Sequence, residues 1–226
     1  MAWKILLAAA IGYLLGCIPS GVLIARIYGV GDIRKHGSGN SGTTNVLRTL
    51  GWLPSVLTLV CDCLKGYIAC LIGKGLGGDP GMLVGGLCAI LGHDFPVFMG
   101  FRGGKGIATS LGLIIAINPW IALAEFAVQI VAVALTRYMS IASLITTVAF
   151  PVMVAIIERG RENYPMFVIA ACIASALSLF GHRSNIRRLI KGEENRLDFG
   201  KITEVSKKVM EKMRNREQGT GNREQD

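Results

Sequence analysis

Charge is scarce in this chain, and acidic charge scarcer still: 17% of the 226 residues are charged, with 15 Asp and Glu against 24 Lys and Arg. A soluble domain carries about a quarter of its residues as charges, so that class is excluded. Histidine is limited to three residues, and none stands at zinc-ligand spacing from a cysteine. The six cysteines (Cys17, Cys61, Cys63, Cys70, Cys88 and Cys172) all lie in apolar runs without a Cys-x-x-Cys pair, which reads as small buried hydrophobes and not as a redox or metal centre. No Walker loop or dinucleotide fingerprint occurs in a strand–turn–helix context. There is no repeat of about 20–50 residues of the kind that builds solenoids.

What remains is apolar. Hydrophobic residues make up 51% of the chain and the mean hydropathy is +0.49, values that call for lipid as solvent. Apolar stretches fall at 5–28, 53–73, 82–99, 107–118, 119–136, 140–157 and 165–181, and most reach the roughly 17–25 residues that cross a bilayer. The first has a weakly basic start at Lys4 but no evident small-residue cleavage site before Arg26, so it reads as a retained span. The 107–118 stretch covers only about 18 Å as a helix, and Asn118-Pro119 interrupts it. It is either a short span or one arm of a re-entrant hairpin with 119–136.

The placement of basic residues sets an orientation. With the N-terminus outside, internal segments hold Arg34, Lys35, Arg48, Arg102, Lys105, Arg137 and the twelve basic residues from 182 onward, while external segments hold Lys4, Lys74, Arg159 and Arg161. The expectation is an all-α polytopic integral membrane protein of about seven transmembrane helices, one of them short or re-entrant, with a cytoplasmic C-terminus. Residues 1–200 form its single transmembrane domain and 201–226 a charged tail. Ile202, Val205, Val209 and Met213 are spaced for a short amphipathic helix in that tail, suited to an anionic inner leaflet. The basic residues flank spans and do not form one soluble face, so no nucleic-acid partner is expected.

Three polar segments fall on the cytoplasmic side, where one site could collect them. In Gly37-Ser-Gly-Asn-Ser-Gly-Thr-Thr-Asn45, glycines Gly37, Gly39 and Gly42 let successive N–H groups turn toward an anion. Ser38, Asn40, Ser41, Thr43, Thr44 and Asn45 supply hydrogen bonds, and Arg48 follows one helical turn later. The second segment runs from Gly92-His93-Asp94 into Phe101-Arg102-Gly103-Gly104-Lys105-Gly106 and opens a helix with Thr109 in its first turn, again suited to phosphate. The third is Gly181-His182-Arg183-Ser184-Asn185-Ile186-Arg187-Arg188, in which His182 and Asn185 share a helix face. Ser140 and Ser143 stand at another internal span end. Asp62 and Lys65, inside the second span, are a functional candidate by depth and a self-neutralising pair by spacing.

In these three segments the chain resembles the bacterial membrane glycerol-3-phosphate acyltransferases that use acyl phosphate as donor. Gly37 to Arg48, Gly92 to Thr109 and Gly181 to Leu189 match that family's three motifs in order, with departures at Ser41, Thr43, Arg102 and Ser184. The resemblance implies transfer of a fatty acyl group from acyl phosphate to the 1-hydroxyl of glycerol 3-phosphate, giving lysophosphatidic acid and inorganic phosphate. It implies as partners both substrates, membrane lipid and the enzyme that makes acyl phosphate from acyl-carrier protein. Carried onto this chain, Ser38, Arg48, Lys105, His182 and Asn185 are expected to be catalytic. Gly37, Gly39, Asn40, Gly42, Thr44, Asn45, Arg102, Gly103, Gly104, Gly106, Thr109 and Ser143 are expected to bind substrate. No cofactor, metal or covalent intermediate is called for. The His-x-x-x-x-Asp scheme of soluble-headed acyltransferases is missing, because the fifth residues after His36, His93 and His182 are Ser41, Phe98 and Arg187. A competing reading is a transporter of an organic phosphate, to which broken helices and buried ionisable groups also belong.

Overall fold

The computed structural model describes residues 1–221, and every regular element among them is helical. The helices are α1 (Ala2–Gly16), α2 (Ser20–Ile27), α3 (Thr43–Leu50), α4 (Trp52–Asp94), α5 (Ile107–Ile117), α6 (Pro119–Thr136), α7 (Met139–Ile157), α8 (Tyr164–Gly181), α9 (Arg183–Ile190) and α10 (Phe199–Gly221). Residues 222–226 of the predicted tail lie outside the described residues. Helix follows from the solvent, since in hydrocarbon each peptide group must find its partner within its own segment.

Five stretches are long and apolar enough to cross a membrane, namely Ala2–Ile27, Trp52–Met99, Pro119–Thr136, Met139–Ile157 and Tyr164–Gly181, with Ile107–Ile117 shorter. The second of these is two arms in one. Gly77 and Gly78 leave helical geometry, Gly78 at φ 62°, and the chain turns back on itself there. A Cβ on Gly73 or Gly81 would run into the other residue's carbonyl oxygen, so the arms meet backbone to backbone, as small residues allow between helices in lipid. The spans expected at 53–73 and 82–99 are these two arms.

Two expectations need refinement. The first stretch is not one helix: α1 and α2 are separated at Cys17–Pro19. Pro19 has no N–H to continue the ladder, and just before it the Ile18 carbonyl accepts from Lys65 Nζ at 2.8 Å. The second concerns α5, whose two ends meet different neighbours. A Cβ on Gly181 would stand 3.3 Å from Lys105 Cα near the start of α5, whereas Arg161 Nη1 donates to the Ile117 carbonyl at its finish, 3.0 Å away. The helix therefore runs from beside the α8 C-terminal end to the α7–α8 turn. Asn118 then starts α6 by accepting from the Trp120 and Ile121 amides at 2.9 and 3.4 Å, a side-chain N-cap.

The described residues divide into two compact units, 1–19 with 60–196, and 20–59 with the segment that begins at 197. The first has an apolar core that includes Met82, Ile90, Leu113, Ile121, Phe150 and Phe167. Its helices turn Leu64, Leu123, Ile130, Val148, Val152 and Ile169 outward, a surface that only lipid would cover favourably. In the second unit, α10 packs along α3. Phe199 stacks on Trp52 with ring centroids 6.1 Å apart, and Ser206 Oγ accepts from the Trp52 amide at 3.0 Å. Ile202 is buried, and Val205, Val209 and Met213 are half-buried. The amphipathic spacing expected in the tail is present, and the face it defines packs on protein.

Candidate active site

In the second unit, one side chain organises the first polar segment. Asn45, 1% exposed in the first turns of α3, donates from Nδ2 to the carbonyls of Ile33, His36 and Asn40 at 3.0, 2.9 and 2.8 Å. Its Oδ1 accepts from the Ser38 amide at 2.8 Å. Gly37 lies at φ 57°, and a Cβ there would collide with Asn45 Oδ1. Asn40 Oδ1 accepts from the Gly42 amide at 2.8 Å, turning the chain into α3, whose N-cap is Gly42. Ser55 Oγ bonds the Thr43 carbonyl at 3.1 Å. The amide of Asn45, expected to touch phosphate, is thus spent inside the loop, and the side chain acts as its tie. Ser38, Gly37 and Gly39 are exposed, while Asn40, Gly42, Thr44 and Arg48 are half-buried. Arg48 falls in the last turn of α3.

In the first unit the second and third segments meet. The Gly103 amide donates to the Asp94 carbonyl at 3.1 Å and the Gly104 amide to the His93 carbonyl at 3.0 Å, so the loop is laced to the end of α4 by backbone alone. Gly106, at φ 73°, opens α5, and a Cβ there would lie 3.3 Å from Asp94 Oδ1. The carboxylate of Asp94 therefore stands beside the α5 N-terminus. Beyond the loop, Lys105 Nζ donates to Asn185 Oδ1. Asn185 Nδ2 in turn donates to Glu194 Oε1 at 2.8 Å, and Arg188 Nε donates to Glu194 Oε2 at 2.7 Å. The chain Lys105–Asn185–Glu194–Arg188 fixes which way the Asn185 amide faces, with its oxygen toward the ammonium.

His182, at the joint of α8 and α9, is 4% exposed. Its Nδ1 lies 2.8 Å from the Ser178 carbonyl. A carbonyl only accepts, so Nδ1 carries the proton and Nε2 the lone pair. Burial, reinforced by the charge of Lys105, pulls the imidazole down to about 4. Burial works to raise Glu194, but the bonds from Arg188 and Asn185 outweigh it and the carboxyl is held below its ordinary value. At neutral pH the cluster thus holds a neutral imidazole, an ammonium, a guanidinium and one carboxylate.

Of the predicted residues, Lys105, His182 and Asn185 come together, as do Gly37, Ser38, Asn40, Gly42 and Asn45 in the other unit. Arg102 is exposed at the entry to its loop. Thr109 is fully buried, and a Cβ on Gly66 would press on its carbonyl. Ser143 is drawn into a seam between α6 and α7, where Gln129 Nε2 donates to its hydroxyl at 3.4 Å and Thr146 Oγ1 donates to Gln129 Oε1 at 3.3 Å. Sequence reasoning missed Glu194. It approaches Asn185 across the turn at Gly192, φ 72°, so no helical spacing relates the two. The signal available was a single acidic pair, Glu193-Glu194, inside a strongly basic segment. Among the described residues, no group of three or more His, Cys, Asp or Glu stands where a metal ion would be held.

Comparison with known proteins bears on the chemistry. The family model described as glycerol-3-phosphate acyltransferase matches residues 6–192. The glycerol-3-phosphate acyltransferase of Geobacter sulfurreducens is 45% identical over 192 residues, covering 84% of this chain and 96% of its own. The chain is also similar to the crystal structure of PlsY (YgiH), an integral membrane glycerol 3-phosphate acyltransferase, in its glycerol 3-phosphate form: TM-score 0.80, 39% identity, 88% of this chain and 98% of that one. The lysophosphatidic acid form of PlsY matches over the same shares with TM-score 0.78 and 38% identity.

Proposed function

The chain belongs to the glycerol-3-phosphate acyltransferase family, and we propose that it takes its acyl group from acyl phosphate, delivers it to the 1-hydroxyl of glycerol 3-phosphate, and releases lysophosphatidic acid and inorganic phosphate. The observation that carries this reading is the cluster of Lys105, Asn185 and His182, which sets a cation, an oriented amide and a neutral imidazole side by side. A donor that arrives already activated fits such a site, which has only to align two substrates and stabilise developing charge. PlsY is described with glycerol 3-phosphate and with lysophosphatidic acid, the acceptor and product of the proposed reaction.

In the reaction the hydroxyl oxygen attacks the acyl carbon, the ester bond forms, and the bond from that carbon to the phosphate oxygen breaks. Lys105 neutralises phosphate charge. His182, neutral with its lone pair on Nε2, accepts a hydrogen bond from the hydroxyl. An imidazole whose conjugate acid sits at about 4 is a weak base compared with a departing phosphate, whose second ionisation lies at about 6 even in an ester. The proton therefore leaves with inorganic phosphate, and His182 orients. In this reading the segments face the cytoplasm from a bacterial plasma membrane, a side that the bias of Lys and Arg supports.

The test is turnover of purified protein in detergent or lipid cubic phase, with palmitoyl phosphate and glycerol 3-phosphate and with acyl-CoA and acyl-carrier protein as control donors. Matched release of inorganic phosphate and lysophosphatidic acid from acyl phosphate alone is the expected result. Equal or better use of a thioester would overturn the donor assignment.

A further inference from the structure

Two ionisable residues lie deep in α4, and the reaction just described uses neither. Asp62 and Lys65 are 1% and 5% exposed, with Lys65 Nζ 2.8 Å from Asp62 Oδ1. A buried ion pair is a poor stabiliser compared with apolar residues of the same size, because desolvation offsets most of the attraction. In a membrane span an ionisable group calls for a reason. Neutralising each other would account for Asp62 and Lys65 alone, but the cluster has a third member. His93, 8% exposed and beyond the Gly77–Gly78 turn, returns on the second arm with Nδ1 3.5 Å from Asp62 Oδ1.

The opposite edge of that ring meets the glycine-rich loop. A Cβ on Gly104 would collide with His93 Nε2, so the imidazole lies against the Gly104 backbone. The carbonyl of the same residue takes the Gly104 amide at 3.0 Å, and its neighbour Asp94 takes the Gly103 amide at 3.1 Å. At the far end, Lys65 is anchored on the Ile18 carbonyl at 2.8 Å, the one left open by the break between α1 and α2. A continuous polar line thus runs from Ile18 through Lys65, Asp62 and His93 to the residues immediately before Lys105.

We propose that Asp62, Lys65 and His93 form a polar strut that fixes the Gly103–Gly104 backbone, with His93 the positioning residue for the loop that carries Lys105. The strut makes no contact with substrate. It holds the ring that the loop leans on, in a part of the protein where water is not available to hold it. As a statement about catalysis the inference rests on the acyltransfer reading above; as a statement about the loop it stands on geometry.

The experiment compares His93→Ala, His93→Asn, Asp62→Asn and the double variant His93→Ala/Asp62→Asn with the wild-type full chain, using hydrogen exchange and steady-state kinetics. In His93→Ala, exchange at Gly103 and Gly104 accelerates about tenfold while α7 is unaffected. The KM of one phosphorylated substrate rises about tenfold and that of the other stays within about twofold, since displacement of one loop weakens one phosphate contact. His93→Asn, which keeps a polar group facing Asp62, recovers most of both effects. Asp62→Asn changes the same KM, and adds less than about twofold in the His93→Ala background because it acts through that ring. If Asp62→Asn alone does not fold, Asp62→Asn/Lys65→Met removes both charges and reports the same KM. Lower thermal stability with loop exchange and both KM values unchanged would make the trio an ordinary ion pair and overturn the proposal. A wild-type protein inactive with acyl phosphate would sink the donor assignment alone, and the exchange result would still decide the strut.

Discussion

Around Gly37–Gly42 one side chain gathers three carbonyls and an amide, whereas around Phe101–Gly106 the backbone amides of Gly103 and Gly104 bond carbonyls of α4 directly. The first loop is held from inside by Asn45, the second from outside by the end of a membrane-spanning helix and the His93 ring. Both are rich in glycine, but for different reasons. Gly37 makes room for the tie; Gly104 makes room for a neighbour. Similar composition thus conceals two ways of ordering a loop, and each fails in its own way when broken.

The largest expected effect comes from the charge that the second loop delivers. Lys105→Ala should lower kcat by about 10²–10³, near 3–4 kcal/mol of transition-state stabilisation, with little change in thermal midpoint. Arg48→Ala should lower kcat by a similar factor. Near-normal turnover in either variant would remove that residue from the reaction, and steady-state rates with both substrates saturating decide it.

Asn45→Ala should invert that pattern. Losing the tie leaves buried backbone groups without partners, a cost of roughly 3 kcal/mol, so the thermal midpoint in detergent should fall first and activity follow. A variant with unchanged midpoint but no activity would return Asn45 to substrate binding and erase the contrast between the loops.

His182 gives an intermediate effect with a definite sign. The unfolded chain binds a proton near the ordinary value of 6.5, whereas the buried ring resists it until about 4. Between those values the unfolded state holds more protons, so this contribution to stability is complete above 6.5 and is lost as pH falls toward 4. His182→Gln should therefore flatten the fall of thermal midpoint over that window. In the rate, His182→Ala should cost about tenfold to a hundredfold while the shape of the profile between about pH 6 and 8 is retained. Loss of a titrating limb in the variant would assign the proton to His182. Smallest is Ser206→Ala, which removes the hydroxyl from the Trp52 amide and should cost about 1 kcal/mol; pulse proteolysis of the α10 segment measures it.

Much of the fold was legible before any coordinates. The spans follow from hydropathy and lipid solvation, which act locally, and Asn118-Pro119 marks a helix start because an asparagine cap and a proline do so anywhere. The break at Cys17–Pro19 was harder to see, since Pro19 in an apolar run allows a kink or a stop, and the choice depends on Lys65 being present to satisfy the Ile18 carbonyl. The site divides in the same way. Lys105, His182 and Asn185 carried recognisable chemistry in recognisable motifs. Glu194 did not, because its role is defined by a partner reached through a left-handed turn.

By itself the sequence determined the solvent, the helical class, the family and the identity of the three polar segments, because those depend on composition, short-range periodicity and motif spacing. Tertiary structure alone decided that Asn45 ties its loop, that Asn185 turns its oxygen to Lys105, and that His93 bridges Asp62 to Gly104. Each of those depends on buried polar groups whose partners no helical spacing relates, and only the folded arrangement says which partner is within reach.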